Sequence, residues 1–257
     1  MHAPTPRRPP RWYVISLRPR GQHDQMRRAA RRIDAGCIAV SPWALRPRDD
    51  AGSRARLRDA LALPKVIVTS PAAARAAAAL QPLRAGRGQQ WFAVGAGTAA
   101  ALRRAGVAEV SAPARMDTEG LLDMPDLRDV SDQCLALVTA PGGRGELAPA
   151  LEARGATILR ADVYERVPLP PAPRAVQALR ALVVPAVVAL SSGEALTHVC
   201  ATWPPDVVAR LRACPVVAAS DRLATIARDQ GFTRVHRAEG PRPAQLVAAA
   251  GQAVRIR

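Results

Sequence analysis

The sequence predicts an α/β protein built of two similar parallel-sheet domains. Three observations predict it. Short apolar runs alternate with alanine-rich segments of helical length, the pattern of a parallel sheet with helices on both faces. Runs end alike: "VIVTSPAAA" (66–74) and "VALSSGEAL" (188–196) each close on two hydroxyl residues before a helix-forming stretch. And the chain repeats itself. "FAVGAGTAAALRRAGV" (92–107) aligns with "VAASDRLATIARDQGF" (217–232), pairing Gly106 with Gly231, and "YVISLRPRGQ" with its sequel resembles "LALVTAPGGRG" with its own. The repeating unit is about 120 residues long.

The elements follow in order. Residues 1–11, basic and proline-rich, read as a disordered tail with no apolar signal region behind it. "WYVISL" (12–17) is a strand, broken by "RPRGQ" (18–22), which opens a helix through about Ala35. "CIAVSPWAL" (37–45) reads as one strand containing a proline, and "RPRDDAGSR" as a linker. "KVIVTS", an alanine-rich helix, "WFAVG" and a helix ending at Gly106 come next; glycine is a good helix stop. "AEVSAP" is a short strand and "TEGLLDMP" a short helix. "CLALVTA", "GGRGELAPALEARG" and "ATILRADVYERV" (156–167) give strand, helix, strand, and "PLPPAPR" a stiff connector. The last third reads "PAVVALSS", helix, "PVVAAS", helix to Gly231, "TRVHRA" and a closing helix.

Composition narrows the function. Of 257 residues, 49% are hydrophobic and only 3% aromatic, so Ala, Val and Leu must build the core. The net charge of +16 is almost wholly arginine and draws polyanions. The four cysteines show no paired or metal spacing, which fits free thiols in a reducing, cytoplasmic setting, and no stretch is long enough to span a bilayer. GxGxxG after the first strand, GxxxxGK[ST], GxSxG and HExxH are all absent, and the four histidines cluster with nothing. A binding protein, or an enzyme that works by positioning, is left.

Ligands of open parallel sheets sit beyond the carboxyl ends of the strands. Thr69, Ser70, Gly95, Ser191, Ser192 and Ser220 fall there, each ahead of a helix. Alone, each hydroxyl has an ordinary role as an N-cap. Together, several helix starts form an anion receptor. Arg18 and Arg144 sit in glycine-containing turns just after strands.

Several segments, in order, resemble the uroporphyrinogen-III synthase family over nearly the whole chain. They are "LRPRGQ", "VTSPAAA", "FAVGAGTAAAL", "GGRGELAPALEARGATILRADVYERV", "LSSGEAL" and "VVAASDRLATIARDQGF". The resemblance implies two flavodoxin-like α/β domains joined by a two-strand connector: a discontinuous first domain (12–44 with 172–257), a second domain (49–162) and connectors at 45–48 and 163–171. It implies dehydrative cyclisation of linear hydroxymethylbilane, with inversion of the last pyrrole ring, and no metal or organic cofactor. The partner is then a polycarboxylate tetrapyrrole, with no nucleic acid and no membrane, and the chain is expected to be a monomer. Substrate contacts are expected from Arg18, Thr69, Ser70, Gly95, Thr98, Arg144, Ser191, Ser192, Ser220 and Arg222, and the resemblance points to Tyr164 as the catalytic group. Asp221-Arg222-Leu223 departs from the threonine common after this strand in the family. The residues themselves leave two other readings open: a non-enzymatic two-domain protein closing on a small anion, and a nucleic-acid binder. Scattered arginines and few aromatics argue against the second.

Overall fold

The structure is a computed structural model and describes residues 10–115, 118–141 and 145–255. The chain runs β1 (Tyr13–Ser16), α1 (Asp24–Arg31), β2 (Gly36–Ala39), β3 (Trp43–Pro47), α2 (Ala51–Leu61), β4 (Lys65–Val68) and α3 (Pro71–Leu80). It continues through β5 (Gln90–Ala93), α4 (Ala96–Arg104), α5 (Thr118–Leu122), α6 (Pro125–Arg128), β6 (Cys134–Thr139), α7 (Leu147–Glu152), β7 (Thr157–Asp162) and β8 (Tyr164–Pro168). The final stretch is α8 (Pro173–Arg180), β9 (Ala186–Leu190), α9 (Gly193–Thr202), α10 (Pro205–Arg212), β10 (Val216–Ala218), α11 (Asp221–Asp229), β11 (Val235–Arg237) and α12 (Pro243–Arg255).

Four sequence expectations are corrected. The run from Cys37 to Leu45 is two strands, β2 and β3, which belong to different sheets. The run from Ala156 to Val167 likewise divides at Val163 into β7 and β8. The expected linker "RPRDDAGSR" contains the start of α2, because Asp50 accepts from the Ser53 amide at 2.8 Å and caps the helix. "AEVSAP" contributes only an isolated bridge, Ser111 to Phe92.

The chain separates into two compact units, one of residues up to Ala44 with Pro168 onward, the other Leu45–Val167. The first holds a parallel sheet in the order β11-β10-β9-β1-β2. The second holds a parallel sheet in the order β5-β4-β6-β7, with the Ser111 bridge outside β5. Counted from the edge, β11, β10, β9, β1 and β2 correspond to the Ser111 bridge, β5, β4, β6 and β7. β3 and β8 form a separate two-stranded ladder. Its ends are closed by Arg48 N–H to the Val163 carbonyl (3.0 Å) and Leu169 N–H to the Pro42 carbonyl (3.0 Å), so the strands are antiparallel.

Strand alternation sorts the core of the second unit. Val66, Val68, Trp91, Ala93, Ala136 and Val138 enter one cluster with the alanine-rich α3 and α4, while Ile67, Phe92, Leu135 and Leu137 enter another with Leu121, Leu127 and Leu151. Alanines on both strand and helix let α3 and α4 approach the sheet closely, which is how a chain so poor in aromatics fills its interior. Gly106 and Gly231 follow α4 and α11 at φ +108 and +85, the left-handed conformation that ends a helix without a Cβ clash.

Candidate functional site

In the second unit, β4 and β6 are neighbours, and their ends are tied where Thr69 Oγ1 donates to Thr139 Oγ1 at 2.8 Å. The next residue, Ser70, caps α3: its hydroxyl accepts from the Ala73 amide at 3.0 Å, and Pro71 fills the first helical position. Gly95 precedes α4 in extended conformation, with no side-chain cap. Thr98 is buried within α4, its amide bonded to the Gly95 carbonyl at 2.9 Å.

The first unit repeats this arrangement at β9 and β10. Ser192 caps α9 through the Ala195 amide (3.3 Å), and Ser220 caps α11 through the Leu223 amide (3.3 Å). A Cβ on Gly193 would lie 2.7 Å from Ile226 Cδ1, so the start of α9 packs closely on the α11 side chain, which would have to shift to admit a larger residue. Ser191 is half-buried beside its capping neighbour, and Arg222 is exposed in the first turn of α11. Ser70, Ser192 and Ser220 are therefore caps, and each takes the amide of the third helical residue.

The four helix starts, alike in the sequence reading, differ electrically. The first turns of α3 and α4 carry no acidic residue, whereas α9 carries Glu194 and α11 carries Asp221. The Arg237 guanidinium beside Asp221 holds its carboxyl below the usual carboxylate range. A carboxylate already in the first turn occupies the dipole that would attract an incoming anion. The starts of α3 and α4 are the better anion receptors.

Arg18 follows β1 in a turn where Gly21 has φ +79. Among the described residues its guanidinium has no hydrogen bond or ion pair, and its Nε is sealed from solvent. Burial lowers its pKa. An unpartnered cation so placed favours an anionic ligand. Arg144 lies outside the described residues.

Tyr164 opens β8 with its ring buried in the core cluster of the second unit. Its hydroxyl has no hydrogen-bond partner among the described residues. Nor is its oxygen one of the sealed, unpartnered polar atoms, which are Arg18 Nε and Trp203 Nε1. The ring packs and the oxygen stays within reach of solvent.

Two arrangements escaped the sequence reading. A polar pocket at the end of β7 and the start of α2 is lined by Arg48, Arg56 and Arg160 with Asp50, Ser53 and Asp162. A hydrogen-bonded set, Ser16, His23 and Ser41, lies at the carboxyl end of the sheet in the first unit. Its residues stand singly in unrelated segments, so no spacing marks them. Among the described residues, no three His, Cys, Asp or Glu side chains converge as a metal site would require, and no helix is long and apolar enough to cross a membrane.

Residues 24–248 match the family model described as uroporphyrinogen-III synthase HemD. No curated protein matches the chain. Among solved structures, a mutant uroporphyrinogen III synthase from the extremely thermophilic bacterium Thermus thermophilus shares 16% identity at a TM-score of 0.56, covering 95% of this chain and 99% of its own. Uroporphyrinogen-III synthetase from Helicobacter pylori 26695 shares 11% at a TM-score of 0.60, covering 93% and 98%. At such identities these likenesses speak to the fold.

Proposed function

Because the chain belongs to the uroporphyrinogen-III synthase family, we propose that it closes linear hydroxymethylbilane to uroporphyrinogen III, expelling water and inverting the last pyrrole ring. The observation that carries the reading is the family match over residues 24–248. In class the reaction is a cyclising hydro-lyase step on a free, water-soluble tetrapyrrole precursor.

The bilane loses its hydroxyl, with one proton, as water. The cationic azafulvene left behind is then attacked by the last ring through the carbon that already bears its methylene bridge. That older carbon–carbon bond breaks, which leaves a new azafulvene cation at the bridge, and the ring's free α-carbon captures this cation and gives up its proton. The bilane also cyclises unaided to the uninverted isomer. The protein must therefore hasten closure and select the attacking carbon, which is a task of orientation. Its substrate carries eight carboxylates. The neutral helix starts after Ser70 and Gly95 and the unpartnered Arg18 suit carboxylates, and the net charge of +16 hastens their encounter. Thr69 and the capping serines act by shaping those turns, and Thr98 is buried within the first turn of α4.

Tyr164 is assigned the proton that leaves with the hydroxyl. Support comes from a phenol oxygen unengaged by the described residues and a ring fixed by burial. A phenol donates without being a strong nucleophile towards the cation.

The test is direct. The protein is mixed with freshly made hydroxymethylbilane, the products are oxidised, and the isomer ratio is measured. Predominant type III isomer is expected. The ratio of the unaided reaction, at any protein concentration, would overturn the reading.

A further inference from the structure

Three side chains at the carboxyl end of the sheet in the first unit form one hydrogen-bonded chain. His23 Nδ1 lies 3.0 Å from Ser16 Oγ, and His23 Nε2 lies 2.9 Å from Ser41 Oγ. Ser16 is fully buried, His23 nearly so, and Ser41 is half-buried.

A neutral imidazole donates from one nitrogen and accepts at the other, so the chain can run in two directions. If Ser41 donated to Nε2, then Nδ1–H would point at Ser16 Oγ. The Ser16 hydrogen would be left buried without an acceptor, because His23 is its only side-chain partner among the described residues. A stranded buried donor is the costly outcome. In the other direction Ser16 donates to Nδ1 and Nε2–H donates to Ser41 Oγ. The one hydrogen left over is then that of Ser41, the only one of the three residues that is half-exposed rather than buried. The imidazolium would strand the Ser16 hydrogen again, and burial with Arg27 and Arg18 nearby disfavours it.

The same segments are stitched by backbone. Val40 N–H donates to the Ser16 carbonyl and Arg20 N–H to the Trp43 carbonyl, both at 2.9 Å. The turn that bears Arg18 is thus fastened to the segment that bears Ser41 on both sides of the histidine bridge. Arg18 itself is the unpartnered cation with the sealed Nε.

We propose that His23 is a positioning residue: it donates to Ser41 Oγ and so turns the Ser41 hydroxyl outward as a fixed donor to a substrate carboxylate that Arg18 neutralises. The inference rests on the function proposed above only in taking that carboxylate to be one of the bilane's.

The experiment has two arms, both on the full chain. In the first, the protein is labelled with ¹⁵N on histidine and its imidazole nitrogens are followed without substrate. The expected spectrum has His23 protonated at Nε2 and bare at Nδ1, unchanged from about pH 8 to about pH 5. Protonation at Nδ1 alone overturns the proposal whether or not the protein is active. In the second, Ser41→Ala should raise KM for hydroxymethylbilane roughly tenfold, the scale of a hydrogen bond to a charged group, with kcat within about twofold. Ser41→Thr, which keeps a hydroxyl, should restore KM. An unchanged KM in folded Ser41→Ala overturns the proposal. A wild-type protein that makes no type III isomer fails the functional reading instead, and the tautomer arm then decides alone.

Discussion

Thr69 Oγ1 donates to Thr139 Oγ1 at 2.8 Å, joining the ends of two neighbouring parallel strands, β4 and β6. The sequence marked Thr69 for substrate, but its hydrogen is spent within the sheet. Thr139 is the more buried of the two, so it loses a partner it cannot replace with water when Thr69 becomes valine. Thr69→Val is expected to lower stability by about 1–3 kcal/mol. The double variant Thr69→Val with Thr139→Val should recover much of that, since both polar groups leave together. Additive losses in denaturant titrations would show that the two hydroxyls are not coupled.

The start of α4 offers a test in which stability and binding move apart. Ala96 is exposed behind the uncapped Gly95, with no acid in the first turn. Ala96→Glu places a negative charge against the helix dipole and should raise stability by about 0.3–1 kcal/mol. The same charge repels a substrate carboxylate, so KM for the bilane should rise by roughly two- to fivefold. A stabilised variant with unchanged KM would remove this helix start from the receptor.

His23 gives the fold a dependence on pH. Burial, then Arg27 and Arg18, push its pKa down from 6.5 to about 4, against a small opposing pull from Asp24. Its hydrogen-bonding neighbours, Ser16 and Ser41, are uncharged. The folded value lies below the unfolded one, so the contribution is complete above about pH 6.5 and is lost as pH falls towards about 4. The loss is about 3 kcal/mol. His23→Gln should start less stable at neutral pH and lose less over that window. Parallel stability curves for the two proteins would place the acid sensitivity elsewhere.

Legibility varied with the kind of signal. β4, β5, β6 and β9 were plain because each is an apolar run closed by a small or hydroxyl residue. Where apolar runs were continuous the breaks were hidden: nothing in "ATILRADVYERV" marks Val163 as the point where the chain leaves one sheet for another. Pro42 gave such a mark before β3, but a strand can carry a proline at its edge, so the mark was ambiguous. α2 was obscured by Gly52 and Ser53, weak helix formers whose cost is offset by the Asp50 cap. α8 begins with Pro173 at its first helical position, and that proline was read as connector; α9 and α10 were read as one helix, although Pro205 opens the second of them. The hydroxyl residues at the strand ends were legible as positions but not as roles, since a cap and a ligand contact need the same residue in the same place. The Ser16, His23 and Ser41 set was illegible because it is assembled from three segments.

The last prediction concerns Tyr164, where packing and chemistry make separable demands. Its ring belongs to the core cluster of the second unit, so removing the ring would open a cavity and tell nothing about catalysis. Tyr164→Phe keeps the ring. The phenol makes no hydrogen bond to the described residues and its oxygen is not sealed, so its loss strands no buried partner. Melting temperature should therefore change by only a degree or two. Turnover should not be spared. Proton donation to a departing oxygen typically contributes about 10²–10⁴-fold. The hydroxyl of the bilane also departs unaided, which puts the expected loss in kcat near the lower end, about 10²-fold. The isomer ratio is a third and independent measure. Ring orientation depends on how the carboxylates are held, so Tyr164→Phe should still give mainly the type III product, only more slowly. Full activity would return Tyr164 to a packing role, and a slow variant that also yields the uninverted isomer would make it an orienting group rather than a proton donor.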